Sequence, residues 1–215
     1  VTGVINVPLV EDKLALRVAG SYESGGGWID QPEAGIENGN GTELTNLRAT
    51  LLWKPTENFD AKAMIQVHRA ETELGMGYEE ADRTVDIAID PATVLIPKVF
   101  NFDVYSLELN YDLGFAKLTS ATSFVDHHHE YPFTSSARPG NYSYGITEGN
   151  DERYVSAKQF TQEIRLASSG KPFEWTIGAY YADGQRRMDD NYAYSYAPAG
   201  DLYSGGGAVY DGLYY

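Results

Sequence analysis

Residues 44–69 read LTNLRATLLWKPTENFDAKAMIQVHR. Alternate residues of an extended chain point to the same side. On one side lie Leu47, Ala49, Leu51 and Trp53, continued after the KPTEN turn by Phe59, Ala61, Ala63, Ile65 and Val67. On the other lie Arg48, Thr50, Lys62, Gln66 and His68. A period of two on both arms of a short Pro- and Asn-containing connection is the signature of a β-hairpin with one apolar and one polar face.

The same pattern extends in both directions. Period-two segments of about ten residues cover 3–9, 14–22, 44–53, 59–69, 101–111, 115–126, 157–167 and 173–182, and helical spacing is absent. Leu14, Leu16 and Val18 alternate with Ala15, Arg17 and Ala19, and Tyr105, Leu107, Leu109 and Tyr111 with Ser106, Glu108 and Asn110. Two segments are less regular. Gln162 falls in phase with Phe160, Ile164 and Leu166, and 115–126 has no clean apolar face.

The connections alternate between short and long. Short turns at 10–13, 54–58, 112–114 and 168–172 carry the Pro, Gly, Asn and Asp that tight turns need. Long connections rich in Gly, Tyr and acids occupy 23–43, 70–100, 127–156 and 183–215. Such one-sided asymmetry is the habit of outer-membrane barrels, with short turns on the periplasmic side and long loops outside. Aromatic residues bracket the short turns (Trp53 and Phe59, Tyr111 and Phe115, Phe173 and Trp175), as an interfacial girdle would. The expected fold is all-β: an antiparallel up-and-down meander of about eight strands, part of a transmembrane β-barrel larger than itself.

Composition agrees. The 215 residues carry 31 acids against 16 bases, a net charge of -15, which argues against nucleic acid as a partner. Cysteine is absent, so no disulfide or thiolate metal site exists. No apolar run reaches helix-spanning length, and the mean hydropathy of -0.39 suits strands that show lipid only every second residue. Tyrosine dominates the aromatics at 17, against 8 Phe and 3 Trp, which fits a broad wet rim.

Three stretches, GVINVPLVEDKLALRVAGSYESGGGWID (3–30), NLRATLLWKPTENFDAKAMIQ (46–66) and above all KQFTQEIRLASSGKPFEWTIGAYY (158–181), resemble the barrel of TonB-dependent outer-membrane receptors of the large type found in sphingomonads and related Proteobacteria. The resemblance implies a Gram-negative outer-membrane location and a barrel of about 22 strands filled by an N-terminal plug. It also implies energy supplied by the TonB complex and uptake of a scarce ligand such as an iron chelate (a siderophore). Residues 1–215 would then be part of one barrel domain, with the plug and the remaining strands outside this sequence. Outer-membrane lipid and lipopolysaccharide would surround it. A passive porin and a secreted carbohydrate-binding β-sandwich are the alternatives.

Candidate ligand-binding residues lie at the long connections: Trp28, His127, His129, Glu130, Tyr142, Tyr144, Tyr192, Tyr194, Tyr196 and Tyr203. Loops on a rigid scaffold carry recognition, and tyrosines stack on sugars, aromatic compounds or chelates. In the run His127-His128-His129-Glu130, opposite side-chain directions leave only His127 and His129 able to converge, and a polar strand end entering an external loop explains them without a metal. The acids Glu79, Glu80, Asp82, Asp86, Asp90, Asp189 and Asp190 lack the spacing of a calcium loop and read as a solvated external surface. Arg17, Arg48, Lys62, Gln66, Glu163 and Arg165 are expected to face the barrel lumen. No catalytic motif is present, and no enzyme activity, resident metal or cofactor is expected.

Overall fold

A computed structural model describes residues 1–31, 35–73, 97–134, 146–170, 173–196, 202–203 and 209–210. The chain forms β1 (Thr2–Val10), β2 (Leu14–Gly25), β3 (Ile29–Gln31), β4 (Ile36–Gly39), β5 (Thr42–Thr56), β6 (Phe59–Thr72), β7 (Lys98–Asp112), β8 (Ala116–Thr134), β9 (Ile146–Ser168), β10 (Thr176–Tyr196), β11 (Leu202–Tyr203) and β12 (Val209–Tyr210). One sheet runs β1-β2-β5-β6-β7-β8-β9-β10-β11, with β12 also on β10. Every pairing is antiparallel, and the order does not close on itself among the described residues.

The short turns form where their residues permit them. Asp12 takes a positive φ of 55° in the β1–β2 turn. Gly114 takes 84° in the β7–β8 turn, where its N–H donates to Asp112 Oδ1 at 2.7 Å and Leu113 N donates to Ala116 O at 2.9 Å. The β5–β6 ladder shifts register between Trp53 and Thr56, placing Pro55, which has no N–H to give, outside the regular pairing. Pro8 sits on the edge strand β1 beside another register shift, for the same reason.

The register confirms the parity read from the hairpin. Val7, Leu16, Leu51, Ala63 and Leu107 form one cross-strand row, and Ile5, Val18, Ala49, Ile65, Tyr105, Phe124 and Phe160 form the next. Successive strands thus build an apolar face, interrupted on β8 and β9 where the first row continues through Thr122 and Gln162. Among the described residues nothing covers it and no large side chain is fully buried: Ile65 is 49% exposed, Leu47 48% and Ile177 67%. Ala49 and Ala63, small among Leu and Ile neighbours, leave an open apolar depression of about 440 Å³ on this face. A single-layer sheet has no second layer to hide such a surface, and a patch this extensive requires an apolar environment or partner. Aromatic rings close its lower border, with Trp53 edge-on to Phe59 at 5.8 Å and Phe59 tilted against Tyr111 at 6.4 Å.

Three sequence expectations need correction. The connection 127–156 is mostly strand, because β8 and β9 stay paired up to Thr134 opposite Asn150. The segment from residue 183 likewise continues as β10 to Tyr196. The polar, Gly- and acid-containing composition of these stretches reads as loop locally, but the continuous β8–β9–β10 ladder pairs their backbone groups and keeps them extended. The connection 23–43 holds a separate two-stranded hairpin, β3–β4. At its base Asn40 Oδ1 accepts from Trp28 N at 2.9 Å and Ile29 N at 3.2 Å, and Asp30 Oδ1 accepts from Asn38 N at 2.8 Å. Only glycine fits at 27, where a Cβ would lie 1.8 Å from the Gly39 carbonyl oxygen.

Candidate functional site on the polar face

The face opposite the apolar one carries two zones. Nearer the short turns it holds cross-linked polar side chains. Lys62 Nζ lies 2.8 Å from Glu108, Arg48 Nε donates to Gln66 Oε1 at 3.0 Å, Arg17 Nη1 donates to Asn6 Oδ1 at 3.4 Å, and Arg165 lies 3.6 Å from Glu163. By register Arg17, Arg48, Lys62, Gln66, Glu163 and Arg165 lie on this one face of the sheet.

Toward the long connections the same face becomes aromatic. One row runs His68, Phe102, His127, Ala157, Arg186, and the next runs Ala70, Phe100, His129, Val155, Met188. A third joins Tyr131, Arg153 and Asp190. Within these rows His68 stacks on Phe102, centroids 4.6 Å apart and planes 14° apart. Phe100 meets His127 edge-on at 5.0 Å and His129 at 5.3 Å, and His129 meets Tyr131 at 4.7 Å. The small side chain of Ala157 beside His127 and the buried Val155 beside His129 leave the rings room to lie together. The result is a shelf of two Phe, one Tyr and three His across three strands.

Polar anchors border the shelf. Asn46 Oδ1 lies 2.7 Å from His68 Nδ1 and fixes that ring. Arg153 Nε donates to Asp190, its Nη1 donates to the Tyr131 hydroxyl at 3.0 Å, and the guanidinium lies over the Tyr131 ring. The Asp190 carboxylate, then the Tyr131 hydroxyl, hold the Arg153 pKa above its ordinary value. Burial depresses the His127 pKa, with His128 and Arg186 adding repulsion. Burial also depresses that of His129, with Lys98 and the neighbouring histidines contributing. Both rings are therefore neutral at pH 7, and His129 Nε2 is buried without a hydrogen-bond partner.

The sign of the pH dependence follows. A base with a folded-state pKa below 6.5 keeps its packed neutral form above that value and loses it as pH falls through the depressed pKa. Acidification should charge two rings packed against Phe100 and loosen the shelf. In an NMR titration of ring protons, His127 and His129 should titrate below 6.5. Midpoints at or above it would contradict the packing described.

Of the other candidates, Glu130 points to the apolar-face side and bonds His128 instead. Trp28 is half exposed at the entrance to β3, and that hairpin lies between β2 and β5, three strands along the sheet from β8. Tyr192, Tyr194 and Tyr196 belong to β10, with Tyr203 in β11 opposite Tyr194. Tyr142, Tyr144 and the acids from Glu79 to Asp90 lie outside the described residues. Asp189 and Asp190 pair with Arg187 and Arg153. Among the described residues no group of three or more His, Asp or Glu could hold a metal ion. Phe100, Phe102 and His68 were missed by the sequence reading, although counting outward from the β7–β8 turn brings Phe102 opposite His127.

Among solved structures, two of those that share the fold are receptors. The ferric yersiniabactin uptake receptor FyuA from Yersinia pestis superposes with a TM-score of 0.68 at 14% identity, over 91% of this chain and 30% of that one. The siderophore receptor PiuA from Acinetobacter baumannii superposes with a TM-score of 0.67 at 14% identity, over 98% of this chain and 31% of that one. No family model matches, and no curated protein does. The chain thus spans about a third of the length of these receptors, and its open meander has the fold of part of their wall.

Proposed function

We propose that this chain is part of the barrel of a TonB-dependent outer-membrane receptor that takes up a scarce ligand of the iron-chelate type. The observation that carries this reading is the division of one sheet into two faces. A face of exposed Leu, Ile, Val and aromatic rings suits lipid, and a face of polar pairs topped by the ring shelf suits a water-filled, ligand-admitting lumen. The wall fold shared with two siderophore receptors supports the same reading, as does the resemblance of stretches 3–30, 46–66 and 158–181 to such barrels. Energy coupling would be supplied through a plug and the TonB complex. Arg17, Arg48, Lys62, Gln66, Glu163 and Arg165 would line the lumen against that plug.

The shelf is the proposed outer ligand-contact surface on the barrel side. Its neutral imidazoles and Phe rings offer stacking area, and Lys98, Arg153 and Arg186 give it basic neighbours in an otherwise acidic chain. That combination fits an anionic ligand with aromatic groups. Trp28, Tyr142, Tyr144, Tyr192, Tyr194, Tyr196 and Tyr203 remain candidate contacts from the rim.

The test is uptake of radiolabelled ferric chelates by cells carrying or lacking the intact gene. Uptake that needs the gene and stops when the proton-motive force is collapsed is expected. Gene-dependent entry that continues without that force would mean a passive pore.

A further inference from the structure

The apolar face does not end at the same row on every strand. Followed toward the long connections, the first charged residue in phase with that face is Glu43 on β5, Arg69 on β6, Asp103 on β7, Asp126 on β8, Lys158 on β9 and Asp183 on β10. On β2 none occurs up to Ser24, which lies opposite Glu43. In register, Asp103, Asp126 and Lys158 share one row with Val67, Arg69 lies one row beyond it, and Glu43 one row beyond Arg69. Asp183 lies one row short of it, opposite Phe160. The border therefore descends by three rows, or six residues, over the five steps from β5 to β10.

The other border slides the same way. Toward the short turns the last rings in this phase are Trp53 on β5, Phe59 and Tyr111 one row lower on β6 and β7, and Trp175 one row lower again, opposite Ser168. Between the borders no charge occurs in this phase, and Ser120, Thr122 and Gln162 bond one another. The apolar interval keeps nearly one width: residues 47–53 on β5, 59–67 on β6, 105–111 on β7 and 175–181 on β10. Two parallel borders that cross the rows together describe a slab lying oblique to the strands.

We propose that this slab is the hydrocarbon layer and that Glu43, Arg69, Asp103, Asp126, Lys158 and Asp183 stand in the headgroup layer of the outer leaflet. The proposal rests on the reading above that the apolar face meets lipid, and adds where and at what angle. Six residues over five strand steps, with a rise of about 3.4 Å per residue and a strand spacing of about 4.8 Å, give a slope of about 40°. The charges alone give this slope, and it matches the tilt of about 35 to 45° at which strands close into a barrel. At that tilt an interval of seven to nine residues is about 18 to 23 Å thick, close to the apolar band of about 25 Å on such barrels. The ion pairs Arg69–Asp103 at 2.7 Å and Lys158–Asp126 at 3.2 Å are exposed on the outer side of the border, where headgroups are hydrated. One consequence concerns the ring shelf. His127, His129 and Tyr131 follow Asp126 on β8, so on the polar face the shelf stands about 3 to 13 Å above the hydrocarbon, at the level of the headgroups.

Row-mates on opposite sides of the border provide the test. Ile65→Cys and Asp183→Cys share one row, and Val67→Cys and Lys158→Cys share the next. Each is introduced singly into the intact protein, with any cysteine outside these 215 residues replaced, and spin-labelled in lipid vesicles. Accessibility to a water-soluble nickel chelate is read relative to oxygen, which concentrates in hydrocarbon. The nickel-to-oxygen ratio should be several-fold higher at Asp183→Cys than at Ile65→Cys, and at Lys158→Cys than at Val67→Cys. Leu47→Cys, in the row of Val67, takes its place should Val67→Cys fail to assemble. Ratios equal within each row, or in the reverse order, overturn the oblique border. If Ile65→Cys is then still low, the lipid reading stands without it; if all four ratios are high, the lipid reading falls as well.

Discussion

Leu107→Arg should prevent stable assembly of the wall in the outer membrane, while Ser106→Arg, one residue earlier, should leave it nearly intact. Leu107 lies on the apolar face between Ala63 and Thr122, and Ser106 lies on the polar face, whose next position along β7 is Glu108. A charged side chain near the middle of a lipid face costs about 2 to 4 kcal/mol. That is a change of roughly 30- to 900-fold in the folding equilibrium, far more than an arginine beside a carboxylate on a wet surface costs. The measurement is the denaturant midpoint of the intact protein folded into lipid vesicles, with the assembled fraction in cells as a second reading. Equal loss from both substitutions would mean that the two faces are not distinguished by lipid.

The second large effect concerns the shelf. Phe100 touches Phe102, His68, His127 and His129 and so holds the cluster together. Phe100→Ala with Tyr131→Ala should weaken ligand binding to the intact receptor by on the order of 10- to 100-fold, since each ring contributes about 0.5 to 1.5 kcal/mol and the remaining rings lose their packing. Assembly should be unaffected, because the substitutions lie beyond the apolar rows and remove no backbone ladder bond. An assembled double variant with unchanged ligand affinity would take the shelf out of the recognition surface.

The hairpin at 44–69 made the wall legible because two independent signals agreed there. Alternation named the faces, and the Pro- and Asn-containing turn fixed where the chain reverses. Phe160, Gln162 and Ile164 illustrate a partial reading. The sequence put Gln162 on the apolar side but could not show Thr122 and Ser120 waiting for it, because they stand some forty residues away. The shelf was half legible for a similar reason. His127 and His129 are legible as a convergent pair, whereas Phe100 falls in the long connection 70–100 and Phe102 reads as an ordinary strand residue, since their partners lie across a turn. The outer halves of β8, β9 and β10 were lost to composition. Asp, Glu, Asn and Gly there have no strand preference of their own, and what keeps them extended is the ladder that joins β8 and β10 to β9, a property of the sheet and not of the segment.

The central claim is that one face of this sheet meets lipid and the other meets water, and a cysteine scan of β6 tests it most directly. Single cysteines from Ala61 to His68, introduced into the intact protein with any cysteine outside these 215 residues replaced, would be labelled in outer membranes with a fluorophore and exposed to a membrane-confined quencher. Positions 61, 63, 65 and 67 should be quenched, and positions 62, 64, 66 and 68 should not. Quenching without a period of two, or with the opposite phase, would contradict the account.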